Sequence, residues 1–234
     1  MMRMKELSMH KTVPSLLAAA ALAFAASGAS AQSSQSVYIG GAYIDLHSSS
    51  TPLVGGTATP TPAYVEVKDA STVGLGYIYH FNPTWAVEAA LGIPPRHKTY
   101  GEGFIKPFGE ISSMKQVAPT VFANYHFAPY GALQPFVGVG LNYTHFTGGH
   151  STASGNAASG GPTSIKLKDS WGLAAHTGLT YQIDKQWSLV GTVAYADVKS
   201  DVTATTTTNT GDVVRTTRIK FNPVVYTFCL GYTF

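Results

Sequence analysis

Glu88 is the one carboxylate in the middle of an alternating stretch, W-A-V-E-A-A-L-G over residues 85–92. Side chains of a strand point alternately to its two faces. Glu88 therefore shares a face with Ala86, Ala90 and Gly92, opposite Trp85, Val87, Ala89 and Leu91. The same count on neighbouring stretches puts His80, His126 and His176 on the corresponding face. A carboxylate and imidazoles on one face make either a polar constriction or a metal site. Histidine ligand pairs draw on close spacings such as H-x-H or H-x-x-x-H, and this chain has neither. The spacing favours the plainer reading, in which Glu88 pairs with a His or Lys of an adjacent strand because a buried charge needs a partner. No metal and no cofactor is expected.

Acyl-transfer chemistry needs a nucleophile set beside a base and an acid. Ser112, Ser113 and Ser170 stand in no such arrangement, so the chain does not read as an enzyme. Arg96, His97 and Lys98 follow Pro94-Pro95. Arg96 and Lys98 are candidates for contact with lipopolysaccharide phosphates, since Arg and Lys suit phosphate. The bland alternative is solvated rim charge. The single cysteine, Cys229, rules out an internal disulfide and a thiolate cluster.

The elements that carry these residues follow a period of two. The last stretch, Pro223 to Phe234, places Val224, Tyr226, Phe228, Leu230, Tyr232 and Phe234 on one face and smaller residues on the other. A greasy stripe ending on an aromatic fits a strand whose outward face meets hydrocarbon. Earlier stretches repeat the pattern, beginning at Val37, Val73, Trp85, Val117, Phe136, Trp171 and Trp187. Asn82-Pro83, Ala128 to Gln134 and Asp184-Lys185 are short connections. Ser48 to Pro62, Tyr100 to Gly109, Thr147 to Thr163 and Asp201 to Asp212 read as long polar loops, with the eighth strand starting near Arg215. Eight antiparallel strands with short periplasmic turns and long extracellular loops describe an all-β transmembrane barrel. Aromatics at the strand ends supply its interfacial girdle.

The N-terminus agrees with export. Arg3, Lys5 and Lys11 form a positive region, Leu16 to Ala26 an apolar run, and Ala29-Ser30-Ala31 a small-residue cleavage site. Cleavage is expected after Ala31, which makes residues 1–31 a signal peptide and 32–234 the barrel. The apolar run is short for the ~20 residues a helical span requires. The exported part is nearly neutral, with no basic face for nucleic acid. A soluble barrel of the lipocalin kind would turn its large apolar residues inward. Here the larger residues lie opposite the glycines, and in a narrow barrel the small set must point inward.

Several stretches together resemble the OmpW family of outer-membrane proteins. They are Pro94-Pro95-Arg96-His97-Lys98, Ala118-Pro119-Thr120 with Tyr125 and Phe127, Pro135 through Thr144, Leu167 through Gly172, and the closing Gly231-Tyr232-Thr233-Phe234. The resemblance implies an eight-stranded barrel with a largely apolar lumen, passing small hydrophobic solutes across the outer membrane. It also implies that Phe234 is the signal read by the barrel assembly machinery, and that outer-membrane lipid and lipopolysaccharide surround the protein.

Residue parity gives that expectation its lumen: Glu88, Ala90, Gly92, Thr120, Phe122, His126, Gly138, Gly140, His176 and Ala194. Glycines and alanines leave space in a barrel only just wide enough for one small ligand. Proline cannot donate to a ladder, so Pro94, Pro95 and Pro119 mark a candidate lateral opening. The competing reading is a structural or adhesion barrel with a closed lumen and partner-binding loops; a lipid A-modifying enzyme is a third.

Overall fold

A computed structural model describes residues 34–56 and 62–234. The expected signal peptide and its cleavage site lie outside the described residues. The chain runs through strands β1 (Ser34–Leu46), β2 (Ser49–Ser50), β3 (Ala63–Val67), β4 (Ala70–His80), β5 (Trp85–Gly92), β6 (Arg96–Gly103), β7 (Glu110–Val117), β8 (Thr120–His126) and β9 (Leu133–Ser151). A helix, α1 (Ala153–Ser159), leads into β10 (Thr163–Leu167), β11 (Ser170–Gln182), β12 (Trp187–Ala196), β13 (Lys199–Thr208), β14 (Gly211–Lys220) and β15 (Pro223–Thr233).

Within the membrane the order is β1-β4-β5-β8-β9-β11-β12-β15, and β15 pairs back onto β1 from Thr233↔Ser36 to Pro223↔Leu46. The ring is an eight-stranded, closed, antiparallel barrel. Its outward residues are apolar and exposed: Trp171 and Leu173 are each 73% accessible, Val139 68% and Phe228 66%. Residues alternating with them, such as Glu88, Asn124, Phe136 and Cys229, are buried inside. The short turns repeat one design. Asn82 Oδ1 accepts from the N–H groups of Thr84 and Trp85, and Asp184 Oδ1 accepts from those of Gln186 and Trp187. Each turn thus launches its strand on an interfacial tryptophan, and Trp85–Tyr125 and Trp187–Tyr232 meet edge to face.

The loops are shorter than the sequence reading placed them. Tyr100–Gly103 belongs to β6, Thr147–Ser151 to β9, and Asp201–Thr208 to β13, while the eighth strand starts at Gly211 rather than near Arg215. Ser49–Ser50 pairs with Lys220 and Ile219. The cause is solvent. Beyond the membrane both barrel faces accept polar residues, so Thr- and Ser-rich strands show no hydrophobic alternation although Thr favours strands. This outer half is a second ring, β3-β6-β7-β9-β10-β13-β14-β2. Between β2 and β3 hydroxyls replace part of the ladder: Ser48 and Ser50 Oγ accept from the N–H groups of Val67 and Val65.

Breaks separate the halves near one level. At two of them an aspartate takes a neighbouring tyrosine hydroxyl, Tyr43 onto Asp69 at 2.9 Å and Tyr143 onto Asp169 at 2.6 Å. Above them lies an apolar core with Leu46, Val67, Met114, Phe146 and Phe221, in which Phe146 stacks on Phe221 at 5.1 Å. His97 is wholly buried on β6, beside Lys68 of the adjoining segment. Its Nδ1–H donates to the Lys68 carbonyl at 3.0 Å, and its Nε2 has no partner among the described residues.

Two outcomes follow. Gly40 packs so closely on β15 that a Cβ would lie 2.1 Å from the Phe228 carbonyl oxygen, whereas a Cβ on Gly41 would meet nothing. Gly40→Val should abolish the heat-modifiable band of the folded barrel on a gel, and Gly41→Val should leave it intact. Burial holds the His97 imidazole below its ordinary value, partly opposed by its hydrogen bond to Lys68. The unfolded chain therefore takes this proton first. The stability concerned is present above the unfolded value of about 6.5 and is lost as pH falls below it. Urea midpoints in lipid vesicles should drop between neutral pH and pH ~5, and His97→Gln should flatten that slope.

Candidate functional site

The lumen is layered. At its periplasmic end Phe136, Val190 and Cys229 form a buried cluster with Tyr38 against it. His126 packs between His80 and Phe136, with ring centroids 5.1 and 5.2 Å away. The glycines here leave no free space, which corrects the sequence reading. A Cβ on Gly178 would strike the Phe136 ring, one on Gly76 the Tyr38 ring, and one on Gly138 both Asn124 and His176. Gly140 abuts the Val121 carbonyl and the Phe122 ring. His126, Gly138 and Gly140, expected to line the lumen, face inward but are part of this packing rather than of a cavity wall.

Above the plug lies a closed polar network. The Tyr38 hydroxyl donates to Glu88 Oε1. Asn124 Nδ2 donates to Glu88 Oε2 at 2.7 Å, and Asn124 Oδ1 lies 2.7 Å from His176 Nε2. Since Oδ1 can only accept, the His176 proton sits on Nε2. His176 also approaches Glu88 at 3.9 Å and lies flat on Phe122, 3.9 Å between ring centroids. The sequence reading gave Glu88 a His or Lys as partner; its direct bonds go to a tyrosine and an amide. Tyr38 and Asn124 face inward with Glu88, and no spacing in the sequence joins β1 to β5 and β8.

An inner cavity of about 150 Å³ sits on this network. Glu88, Ala90, Gly92, Thr120, Phe122, His176 and Ala194 line it, with apolar Ala42, Ile44 and Val225. Leu46, Val67, Phe146 and Phe221 form the apolar layer above. Beyond that layer an outer vestibule of about 470 Å³ is walled mainly by apolar side chains such as Leu53, Val65, Ile111, Met114 and Ile165.

The barrel wall is interrupted beside the inner cavity. The β5–β8 ladder ends at Ala90↔Thr120, and β6–β7 pairing starts only at Arg96↔Lys115. Leu91, Pro95, Gln116 and Ala118 on the two sides of this gap all line the inner cavity. Ile93 N–H is spent on the Val73 carbonyl on the other side, so by strand alternation Pro94 turns its missing donor toward the gap. The Pro119 carbonyl accepts from Tyr143 N–H. Its missing donor therefore belongs to the β9 side, away from the gap.

Arg96 donates to Ser113 Oγ at 3.0 Å, and Lys98 pairs with Glu110 at 3.0 Å on the exterior. Ser170 Oγ accepts from Lys199 N–H. Phe234 exposes its ring, while its backbone N–H donates to the Gln35 carbonyl at 2.9 Å. Among the described residues no group of three metal-ligating side chains converges.

The pattern of the OmpW family matches residues 37–234. Outer membrane protein W of Vibrio cholerae is 34% identical over 68% of this chain and 71% of its own length. The chain belongs to the OmpW family. Outer membrane protein AlkL of Ectopseudomonas oleovorans is 30% identical, covering 85% of this chain and 78% of its own. The crystal structure of OprG from Pseudomonas aeruginosa superposes with a TM-score of 0.78 at 27% identity, covering 86% of this chain and 95% of that one. These relatives are outer-membrane barrels, and this OmpW-family chain is one too.

The network yields a stability test. Asn124→Ala strips Glu88 of a donor and His176 of its acceptor together, leaving two buried polar groups short. The expected loss is roughly 2–4 kcal/mol, against about 1 for Tyr38→Phe. Urea unfolding in vesicles, followed by tryptophan fluorescence, measures both; equal effects would mean that Asn124 does not bridge the pair.

Proposed function

We propose that this barrel is a passive conduit that takes small hydrophobic solutes from the outside and releases them sideways into the membrane. The observation that carries the reading is the interrupted ladder between Ala90↔Thr120 and Arg96↔Lys115, backed by an inner cavity that reaches both its edges. An apolar vestibule favours an apolar guest. The plug of Phe136, His126 and the Glu88 network stands across the straight route to the periplasm, so the wall is the exit this reading needs. Pro94 and Pro95 shape that exit. The barrel performs no reaction in this reading. It holds no cofactor and binds no nucleic acid.

The same plug also favours a second reading, a closed structural barrel whose loops bind partners. The wall gap is what sets the conduit ahead of it. Arg96 and Lys98, on the exterior just above the apolar belt, are proposed to touch lipopolysaccharide phosphates. Phe234 is proposed as the mark read by the barrel assembly machinery, and residues 1–31 as the signal peptide that delivers the chain.

The two readings separate in proteoliposomes. The conduit takes up a small neutral apolar solute faster than protein-free vesicles, while planar bilayers show no steady ionic current because the plug stands. Pro94→Val restores a donor facing the gap. A ladder bond of about 1 kcal/mol should slow uptake roughly fivefold. Uptake no faster than in protein-free vesicles would leave the closed barrel as the reading.

A further inference from the structure

The outer vestibule carries a charge that the conduit does not use. Of the described residues lining it, Arg215 alone is ionisable; every other is apolar, glycine, or a Ser or Thr. Arg215 lies on β14 on the inward face shared with Thr217 and Ile219, and it is half-buried. Three exterior cations are engaged elsewhere: Arg218 with Asp201 at 2.6 Å, Lys98 with Glu110 at 3.0 Å and Lys68 with Glu66 at 2.6 Å. Arg215 has no carboxylate within ion-pair distance among the described residues. Residues 57–61 of the adjoining segment are Thr, Ala, Thr, Pro and Thr, with no acid among them.

Arg215 is nonetheless held in place. Its Nη1 makes two long contacts, 3.4 Å to the Ser159 carbonyl and 3.4 Å to Thr206 Oγ1. Ser159 ends α1, where the helix dipole favours a cation. Gly56, at positive φ, lies so near that a Cβ would stand 3.4 Å from Arg215 Nε. The guanidinium has five N–H donors, and among the described residues only one nitrogen is spent, weakly. A fixed, incompletely satisfied guanidinium beside apolar walls is one half of a recognition pair. Its complement is a planar anion carried on a greasy chain. A carboxylate meets the fork with two parallel hydrogen bonds. A phosphate ester with a second negative charge would find no second cation in the lining.

We infer that the vestibule binds single-chain amphiphiles with a carboxylate head, such as medium-chain fatty acids. The head lies on Arg215 and the tail runs along Leu53, Val65, Met114 and Ile219 toward the apolar layer. The volume of about 470 Å³ is in the range of small-ligand pockets. The assignment rests on the conduit reading for the fate of the bound molecule, but not for the binding itself.

The test uses the mature protein purified from outer membranes into lipid nanodiscs, with decanoate and decanol as matched probes. Calorimetric titration, corrected against empty nanodiscs, should show decanoate bound at least about tenfold more tightly than decanol, the worth of a charge-assisted pair. Arg215→Gln should remove that preference, Arg215→Lys should keep part of it, and neither should change decanol binding. Decanol bound as tightly as decanoate by the unaltered protein would overturn the inference, and this comparison holds even if a variant fails to fold. Decanoate binding unchanged in a folded Arg215→Gln protein would overturn it too. Decanol uptake into proteoliposomes is read separately. Its absence with the decanoate preference intact would sink the conduit and leave the site standing.

Discussion

The constraint on which this molecule depends is that lipid offers no partner to a backbone N–H or C=O. The last strand must therefore find the first, and β15 does so along β1 from Ser36 to Leu46. Once the ring closes, side-chain direction is settled for every membrane strand. Large apolar residues go to the lipid and small ones inward, because eight strands enclose too little room for the reverse. Close approach follows from the same geometry: Gly40 lies directly over the Phe228 carbonyl and the Cys229 backbone.

A narrow lumen has to be filled, and here it is filled unevenly. Rings and polar side chains occupy the periplasmic half down to the Phe136–Cys229 cluster, while space remains above Glu88 and again beyond the Phe146–Phe221 layer. Glu88 is tolerated inside because each of its oxygens receives a hydrogen bond and Asn124 passes the connection on to His176. The network thus joins β1, β5, β8 and β11 across the barrel and gives the plug a fixed shape. Solute that enters from outside meets an apolar layer first and a closed floor second.

What could be read from the sequence follows where water is absent. In the membrane half, hydrocarbon outside and a cramped lumen inside enforce alternation, so the strands beginning near Val73, Trp85 and Trp187 and the inward direction of Glu88 and His176 were legible. In the outer half the exterior is wet, and strands such as Lys199–Thr208 look like loops because Thr serves either face equally well. The partners of Glu88 were hidden for another reason. Which side chains meet across a barrel depends on strand stagger, and no local pattern records that Tyr38 and Asn124 stand at the height of Glu88. The glycines misled in the opposite direction. They signal close approach as readily as empty space, and Gly76, Gly138 and Gly178 are sites where a neighbour's ring or amide has moved in.

The position of the wall gap can be argued from the same constraint that closes the ring. An open ladder at membrane level ordinarily leaves unpaired donors facing lipid, each costing several kcal/mol. At other breaks the chain answers with an aspartate, as Asp69 does for the Leu46 N–H and the Tyr43 hydroxyl. Between Gly92 and Arg96 it answers with Pro94 and Pro95, which have no N–H to leave unpaired. Ile93 satisfies its own donor on Val73, and on the facing strand the Pro119 carbonyl is taken by Tyr143. Neither proline adds an N–H to the interruption, and Gln116 and Thr120 place polar side chains on its inner side. Prolines at this one level let a closed barrel keep an unpaired stretch of wall without the penalty that elsewhere forbids it.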